Sequence, residues 1–205
     1  MVDINQKIKK RYNRVSGIYD RMDRMIKSDW RTDLLSRVHG NVLEVGVGTG
    51  ANLSYYPLGV NVTGIDFSKG MLKHALEKLK SVENKDRIKL VEMDAQALDF
   101  PDNSFDFVVT TCVFCSVPDP VKGLKELRRV CKPEGRILML EHMRSENLIL
   151  GPIMDIANPI VVNLWGANIN RKTLENINKA GLQIEKNEQL MGTFMRRLVI
   201  KPNKS

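Results

Sequence analysis

The sequence lacks an apolar run long enough to cross a membrane. Its longest apolar stretch near the C-terminal end, residues 148–165, is interrupted by glycine, proline, aspartate and asparagine residues. A membrane-spanning helix needs about 20 predominantly apolar residues. The N-terminus is polar and basic and has no hydrophobic signal core. These absences predict a cytoplasmic protein.

Cysteine is also scarce, with Cys112, Cys115 and Cys131 as the 3 cysteines of the chain. An odd number of thiols cannot all pair with one another. Cys112 and Cys115 form a CxxC pair, but a structural zinc site needs further ligands and no second pair follows. We therefore predict buried free thiols and no bound metal.

What the sequence does contain is an excess of positive charge, +8 for the whole chain. Residues 1–40 hold ten Lys/Arg and five Asp/Glu, so they contribute 10 − 5 = +5 of it. A basic segment favours an anionic partner, such as phospholipid headgroups, nucleic acid or an acidic substrate. A solvated helix face explains the same charges and stays open as the alternative.

Apolar residues recur in steps of three and four from Ile4 to Ile26, which predicts an amphipathic helix, or two helices broken near Gly17. A further helix is expected from Arg31 to Val38. Strands and helices then alternate. We predict strands over 41–45, 61–66, 87–94, 104–112 and 136–143, and helices from about 51, over 68–82 with Ser68 as its cap, and over 120–130.

This alternation predicts an α/β fold with a Rossmann-like, doubly wound and mostly parallel sheet. The rhythm changes near the end of the chain. A helix from about Arg171 to Gly181 is followed by two strands, 182–191 and 194–202, which lie almost back to back. Such a pair forms a hairpin, so the C-terminal strand should be antiparallel to its neighbour.

The segment VLEVGVGTG, residues 42–50, places three glycines directly after the first strand. Glycine allows a tight turn and a close approach of ligand to backbone, although the pattern also fits a loose dinucleotide fingerprint. Glu44 argues against a dinucleotide ligand and for a ligand without phosphate, because a carboxylate would repel a pyrophosphate at a helix N-terminus. The sulfonium and ammonium groups of S-adenosylmethionine are cationic and suit a nearby acid. Alternatively, Glu44 is a strand residue paired with a basic side chain.

Two more carboxylates follow at the ends of later strands. Asp66 ends the second strand, twenty residues after Gly46, where a carboxylate accepts hydrogen bonds from ribose hydroxyls. Asp94 ends the third strand and can accept from an adenine amino group, with the Ala95 amide against the ring. The pair predicts a bound adenosine.

Along the chain, four motifs follow one another: VLEVGVGTG, GIDFS with MLKHA, MDAQALDFPDNSFDFVV and VCKPEGRILMLEH. Over residues 40–143 they resemble class I S-adenosylmethionine-dependent methyltransferases. RYNRVSGIYDRMD is similar to the bacterial phosphatidylethanolamine N-methyltransferase and ubiquinone/menaquinone C-methyltransferase group. LEVGVGTGANLSYYP, CVFCSV and LEHM resemble membrane-associated thiol S-methyltransferases.

The resemblance implies a single methyltransferase domain over 1–205. Its parts are an N-terminal helical lid (1–39), a cofactor-binding core (40–143), a substrate-side insert (144–169) and a C-terminal helix with a β-hairpin (170–205). The implied cofactor is S-adenosyl-L-methionine. The residues expected to bind it are Tyr19, Glu44, Gly46, Gly48, Gly50, Asp66, Phe67, Asp94, Ala95 and Thr111.

For catalysis the candidates are His142, as a general base at the end of the fifth strand, and Tyr19. We expect an amphipathic or lipid-like acceptor, such as a phosphatidylethanolamine headgroup or a quinone precursor. The basic N-terminal helix would then contact anionic membrane at its inner face. The alternatives are a soluble thiol or amine methyltransferase, an NAD-binding oxidoreductase and a non-catalytic nucleoside-binding module. Nucleic acid is not expected, because strand four ends in TTCVFCS and lacks the Asn/Asp-Pro-Pro-aromatic signature.

Overall fold

A computed structural model describes residues 26–165 and 167–204. Most of the predicted lid, including the candidate site residue Tyr19, lies outside the described residues. The described strands are β1 (Asn41–Val45), β2 (Asn61–Asp66), β3 (Ile88–Glu92), β4 (Phe105–Thr111), β5 (Cys131–His142), β6 (Gln183–Met191) and β7 (Met195–Lys201). The described helices are α1 (Ser28–Leu35), α2 (Lys69–Leu79), α3 (Pro120–Val130), α4 (Leu150–Trp165) and α5 (Thr173–Lys179).

The strands form one sheet in the order β3-β2-β1-β4-β5-β7-β6. Strands β1 to β5 pair in parallel, whereas β7 is antiparallel to both of its neighbours, β5 and β6. The chain winds outward from β1 in one direction and from β4 in the other, so the strand order reverses between these two. The predicted doubly wound sheet with an antiparallel C-terminal strand is confirmed.

Two helices of the sheet begin at side-chain caps. The Ser68 hydroxyl accepts from the Met71 amide (3.2 Å) ahead of α2, and the Asp119 carboxylate accepts from the Lys122 amide (2.9 Å) ahead of α3. Pro120 occupies the first turn of α3, where a missing N–H costs no hydrogen bond. These caps fix the starts of both helices, and the cap at Ser68 is the one that the sequence predicted.

The connection from β1 to β2 contains less helix than the sequence predicts. A helix from about Ala51 is predicted, but the segment forms only a 3₁₀ turn, Leu53–Tyr55. Pro57 disfavours helical backbone at Tyr56, which is extended with ψ 133°. Strand β5 also begins earlier than the predicted strand 136–143, at Cys131, and its pairing with β4 shifts register there.

Both faces of the sheet are covered, as a mostly parallel sheet requires. Helices α3 and α5 pack on one face through Leu124 and Ile177, and α1 and α2 pack on the other through Leu34 and Leu72. Within the described residues, no helix is both long enough and apolar enough to cross a membrane. The two buried faces hold the carboxyl ends of the strands in fixed positions, and the candidate site lies there.

Candidate functional site

A cleft opens at the carboxyl edge of the sheet, beside the point where the strand order reverses. Ligands of doubly wound folds bind at such a switch point. We call it the switch-point cleft. The described residues that line it are Val45, Gly46, Gly48, Ile65, Asp66, Phe67, Met71, Met93, Asp94, Ala95, Gln96, Thr111, Cys112, Val113, Ser116, Val117 and Pro118.

The glycine turn forms one wall of this cleft. Gly46 has φ +71° and Gly48 φ +57°, a backbone region that side chains rarely tolerate. A Cβ atom on Gly46 would stand 2.5 Å from a methyl carbon of Val113. Gly50 has a different role, because it does not line the cleft and its backbone packs closely against Ala75 of α2.

Asp66 connects the glycine turn to the start of α2. Its carboxylate accepts from the Gly48 amide (3.0 Å) and from the Ser68 amide (2.8 Å). Burial raises the pKa of Asp66 to about 6, although these backbone hydrogen bonds oppose the shift. The carboxylate therefore lines the cleft in a fixed orientation, next to the half-buried Phe67.

Asp94 is held by a residue that sequence reasoning missed. The Gln96 amide donates to Asp94 Oδ1 (2.9 Å), and Gln96 Nε2 donates to both carboxylate oxygens at 3.1 Å. The side-chain oxygen of Gln96 in turn accepts from the Asp119 amide (2.9 Å) at the start of α3. Asp94 and Ala95 thus line the cleft on a backbone fixed to α3.

The loop after β4 also lines the cleft, and Thr111, the last residue of β4, precedes it. Cys112 follows with φ +54°, an unusual value for a residue with a side chain. The buried carboxylate of Glu141 accepts from the amides of Val113 (3.0 Å) and Phe114 (3.3 Å), and from the Thr110 hydroxyl (2.9 Å). Glu141 therefore fixes the course of this loop.

Burial raises the pKa of Glu141 to about 7, with its hydrogen bonds opposing the shift. Sequence reasoning missed this residue, yet a signal was present. Glu141 shares the inward face of β5 with Ile137 and Met139, which are fully buried. A carboxylate at an inward position of a buried strand indicates a specific hydrogen-bonding role.

Glu44 lies behind the cleft and is not among the residues that line it. Its side chain is only 2% exposed, and its two oxygens accept from Asn52 Nδ2 (2.8 Å) and the Tyr56 hydroxyl (2.9 Å). Asn52 also donates to the Thr111 hydroxyl (3.0 Å) and accepts from Arg31. A contribution of Glu44 to cofactor binding stays a prediction, and this network shows a structural role beside it.

His142 follows Glu141, so its side chain points to the other face of β5. It is half-buried and does not line the cleft. Burial lowers the pKa of His142, and the neighbouring Glu141 opposes that shift. The imidazole is therefore neutral near pH 7 and able to accept a proton, but its role as a base stays a prediction.

The charged side chains that line the cleft are all acidic. Asp66 and Asp94 line it, and the described lining residues include no lysine, arginine or histidine. No cationic side chain among these lining residues would offset the charge of a pyrophosphate, whereas two carboxylates favour a cationic ligand. The described residues also contain no group of three or more His, Cys, Asp or Glu arranged to hold a metal ion.

Comparison with known proteins agrees with this geometry. Residues 43–139, which run from β1 into β5, match a family model described as a methyltransferase domain. The match includes the glycine turn, Asp66, Asp94 and the loop after β4.

Two curated relatives are similar in sequence. A phosphatidylethanolamine N-methyltransferase of Cereibacter sphaeroides is 43% identical over 114 residues, which cover 56% of this chain and 55% of the relative. A demethylmenaquinone methyltransferase of Staphylococcus aureus is 39% identical over 143 residues, covering 63% and 58%. The chain thus spans little more than half the length of these relatives.

A solved structure of an S-adenosylmethionine-dependent methyltransferase from Thermotoga maritima is similar in fold. Its TM-score is 0.70 at 21% identity, and the match covers 96% of this chain and 100% of that one. At this identity the likeness concerns the fold alone.

Proposed function

Because this chain carries a class I S-adenosylmethionine-dependent methyltransferase domain, we propose that it transfers the methyl group of that cofactor to an amphipathic or lipid-like acceptor. When bound, S-adenosylmethionine supplies an electrophilic methyl group on a sulfonium. The protein then has to orient two reactants and exclude water, which contributes up to roughly 7–11 kcal/mol in favourable cases.

The observation that carries this proposal is the composition of the switch-point cleft, whose described lining residues include two aspartates and no lysine, arginine or histidine. Asp66 lies where a ribose hydroxyl donates, and the Asp94–Ala95 corner suits an adenine. The backbone of Gly46 and Gly48 admits the ligand closely, and Val113 and Val117 add apolar surface to the lining. Asp66 suits the ribose of either cofactor, but a second acid at Asp94, with no lysine, arginine or histidine among the described lining residues, favours a cationic cofactor over NAD.

Two facts support an amphipathic acceptor. The curated relatives are named for phosphatidylethanolamine and demethylmenaquinone, an amphipathic lipid and a lipid-tailed quinone precursor. Residues 1–40 carry a net charge of 10 − 5 = +5, which suits contact with anionic headgroups. His142, although it does not line the cleft, is the candidate base, and its neutral imidazole would accept a proton from an acceptor that arrives protonated.

Calorimetry with S-adenosylhomocysteine and with NAD tests the cofactor. We expect binding of the former and none of the latter; binding of NAD alone would overturn the proposal. A radiolabelled methyl-transfer screen over phospholipids, quinone precursors and small thiols then tests the acceptor. Transfer to thiols alone would favour the small-molecule alternative. If the His142→Asn variant transfers the methyl group to a lipid at the wild-type rate, His142 is not the general base.

A further inference from the structure

Helix α4 presents an apolar face to solvent. Its large exposed residues, with the residue just before it, recur in steps of three and four and so share one side of the helix. They are Ile149 (74% exposed), Ile153 (54%), Ile156 (79%), Ile160 (65%) and Leu164 (60%). We call this set the apolar stripe. It is about 22 Å long at 1.5 Å per residue.

Such exposure is concentrated here. Of the ten exposed large hydrophobic residues among those described, seven lie between Leu148 and Leu164. Contiguous exposed apolar surface marks a site of interaction, whereas single exposed apolar residues need no explanation.

The opposite side of α4 is anchored to the domain. Met154 is buried, and Asp155 forms an ion pair with Arg144 (2.8 Å). The Asn158 side chain accepts from the Ile169 amide (2.9 Å). The stripe therefore faces outward because the polar side of the helix is already bonded.

Hydrogen bonds connect this anchored side of α4 to the loop that lines the switch-point cleft. The Asn158 side chain donates to Asn168 (3.3 Å), and Asn168 donates twice to the Cys115 carbonyl, at 2.9 and 3.0 Å. Cys115 immediately precedes Ser116 and Val117, which line the cleft. A surface that receives the stripe would therefore lie near this part of the cleft.

The composition of the stripe indicates what that surface is. Its residues are isoleucine and leucine, without the tyrosine, tryptophan and arginine that enrich protein interfaces. The one ionisable residue of α4, Asp155, is neutralised by Arg144, so the helix offers no uncompensated negative charge. The chain as a whole carries +8, which complements an anionic lipid surface.

We infer that the apolar stripe of α4 inserts into the surface of an anionic lipid bilayer and holds the cleft against it. The occupant is thus a membrane surface, and the helix lies in the interface plane. The inference deepens the proposed function and rests on it for the lipid-like acceptor, but the contact itself is measurable without catalysis.

The test is vesicle binding by the full chain. Ile156→Glu/Ile160→Glu places two charges on the stripe at exposed positions that do not pack in the core. Leu58→Glu/Leu76→Glu is the matched control, with the same change in net charge at exposed apolar residues elsewhere. Sedimentation uses phosphatidylcholine vesicles with and without phosphatidylglycerol.

We expect the wild type to bind the phosphatidylglycerol vesicles, the stripe variant to bind at least about tenfold more weakly, and the control to lose less than about threefold. Equal binding by all three proteins, or equal losses in both variants, would overturn the inference. A dimer in analytical ultracentrifugation that only the stripe variant dissociates would also overturn it, in favour of a second copy. Calorimetry with S-adenosylhomocysteine on the same proteins separates the proposals, because a failure of cofactor binding leaves the vesicle result intact.

Discussion

The switch-point cleft and the apolar stripe are built in opposite ways. The polar groups of the cleft are fixed by neighbouring residues: Asp66 accepts from two backbone amides, Asp94 is held by Gln96, and the buried Glu141 holds the loop after β4 through three hydrogen bonds. In the stripe, apolar side chains extend into solvent while the far side of α4 carries the bonds. The described lining of the cleft is held by bonds within the fold, whereas we propose that the stripe is covered by a surface outside it.

This contrast implies that the two regions can be disrupted separately. A change at the cleft should remove cofactor binding and spare vesicle binding, and a change at the stripe should do the reverse. Asn158 links the helix to the cleft loop through Asn168, which donates to the Cys115 carbonyl, and these bonds do not involve the side chains of the stripe, so strong coupling between stripe and cleft is not expected.

The largest effect is expected from Gly46→Ala. The new Cβ would meet Val113 at 2.5 Å, and the backbone would have to hold φ +71° with a side chain present. We expect S-adenosylhomocysteine affinity to fall more than about a hundredfold, with about 2–4 kcal/mol lost from the free energy of unfolding. Calorimetry and urea denaturation measure the two quantities.

Gly59→Ala is its control. Gly59 has φ +85°, but a Cβ there would meet nothing within 4 Å. It should cost about 1–2 kcal/mol of stability through backbone strain and leave cofactor affinity unchanged. If both variants bind equally well, the close approach of Gly46 to Val113 does not shape the cleft.

A smaller effect is expected from Asp66→Asn. The amide keeps one acceptor oxygen but turns an N–H₂ group toward the amide of Gly48 or Ser68, both of which are donors. We expect cofactor affinity to fall about ten- to a hundredfold, as for loss of a hydrogen bond to a charged group. Asp86→Asn, at an exposed position outside the cleft, should change nothing. Weaker vesicle binding by Asp66→Asn would contradict the independence of the two regions.

Much of the cleft was predictable from local sequence. Glycines after a strand, and aspartates ending the next two strands, mark positions at one edge of a parallel sheet, and the periodicities predicted the antiparallel C-terminal strand. Glu141 and Gln96 were missed because the contacts that fix them, with the amides of Val113 and Asp119, join residues far apart in the chain. The register that brings Glu141 to Val113 arises only when β4 and β5 pair. The outward stripe of α4 was hidden for a similar reason, since apolar periodicity alone does not say which face is buried.

A pH experiment sharpens the description of the cleft. The pKa of Glu141 is raised by burial to about 7 in the folded protein, so the folded state binds this proton more tightly than the unfolded chain. The stability it contributes is full below its unfolded pKa and is lost as pH rises through about 7. Glu141→Gln removes that titration.

Between about pH 5 and about pH 8, the wild type should therefore lose about 2–3 kcal/mol more unfolding free energy than Glu141→Gln. Asp66, whose pKa is raised to about 6, contributes with the same sign in both proteins and cancels in the difference. Urea denaturation at the two pH values is the measurement. Equal pH dependence in both proteins would show that Glu141 does not titrate in this range.

The smallest effect concerns Glu44, which lies behind the cleft and accepts from Asn52 and Tyr56. Glu44→Gln and Tyr56→Phe both break this network and should each cost about 1–2 kcal/mol of stability. Only Glu44→Gln removes a negative charge. It should therefore weaken the binding of S-adenosylmethionine, which carries a cationic sulfonium, about three- to tenfold. The binding of S-adenosylhomocysteine, which has no sulfonium, should weaken less, because the charge of Glu44 acts on the cation through the intervening protein. Tyr56→Phe should leave the ratio of the two affinities unchanged. If Glu44→Gln also leaves that ratio unchanged, the carboxylate serves the hydrogen-bond network alone, and the acidic character of the cleft rests on Asp66 and Asp94.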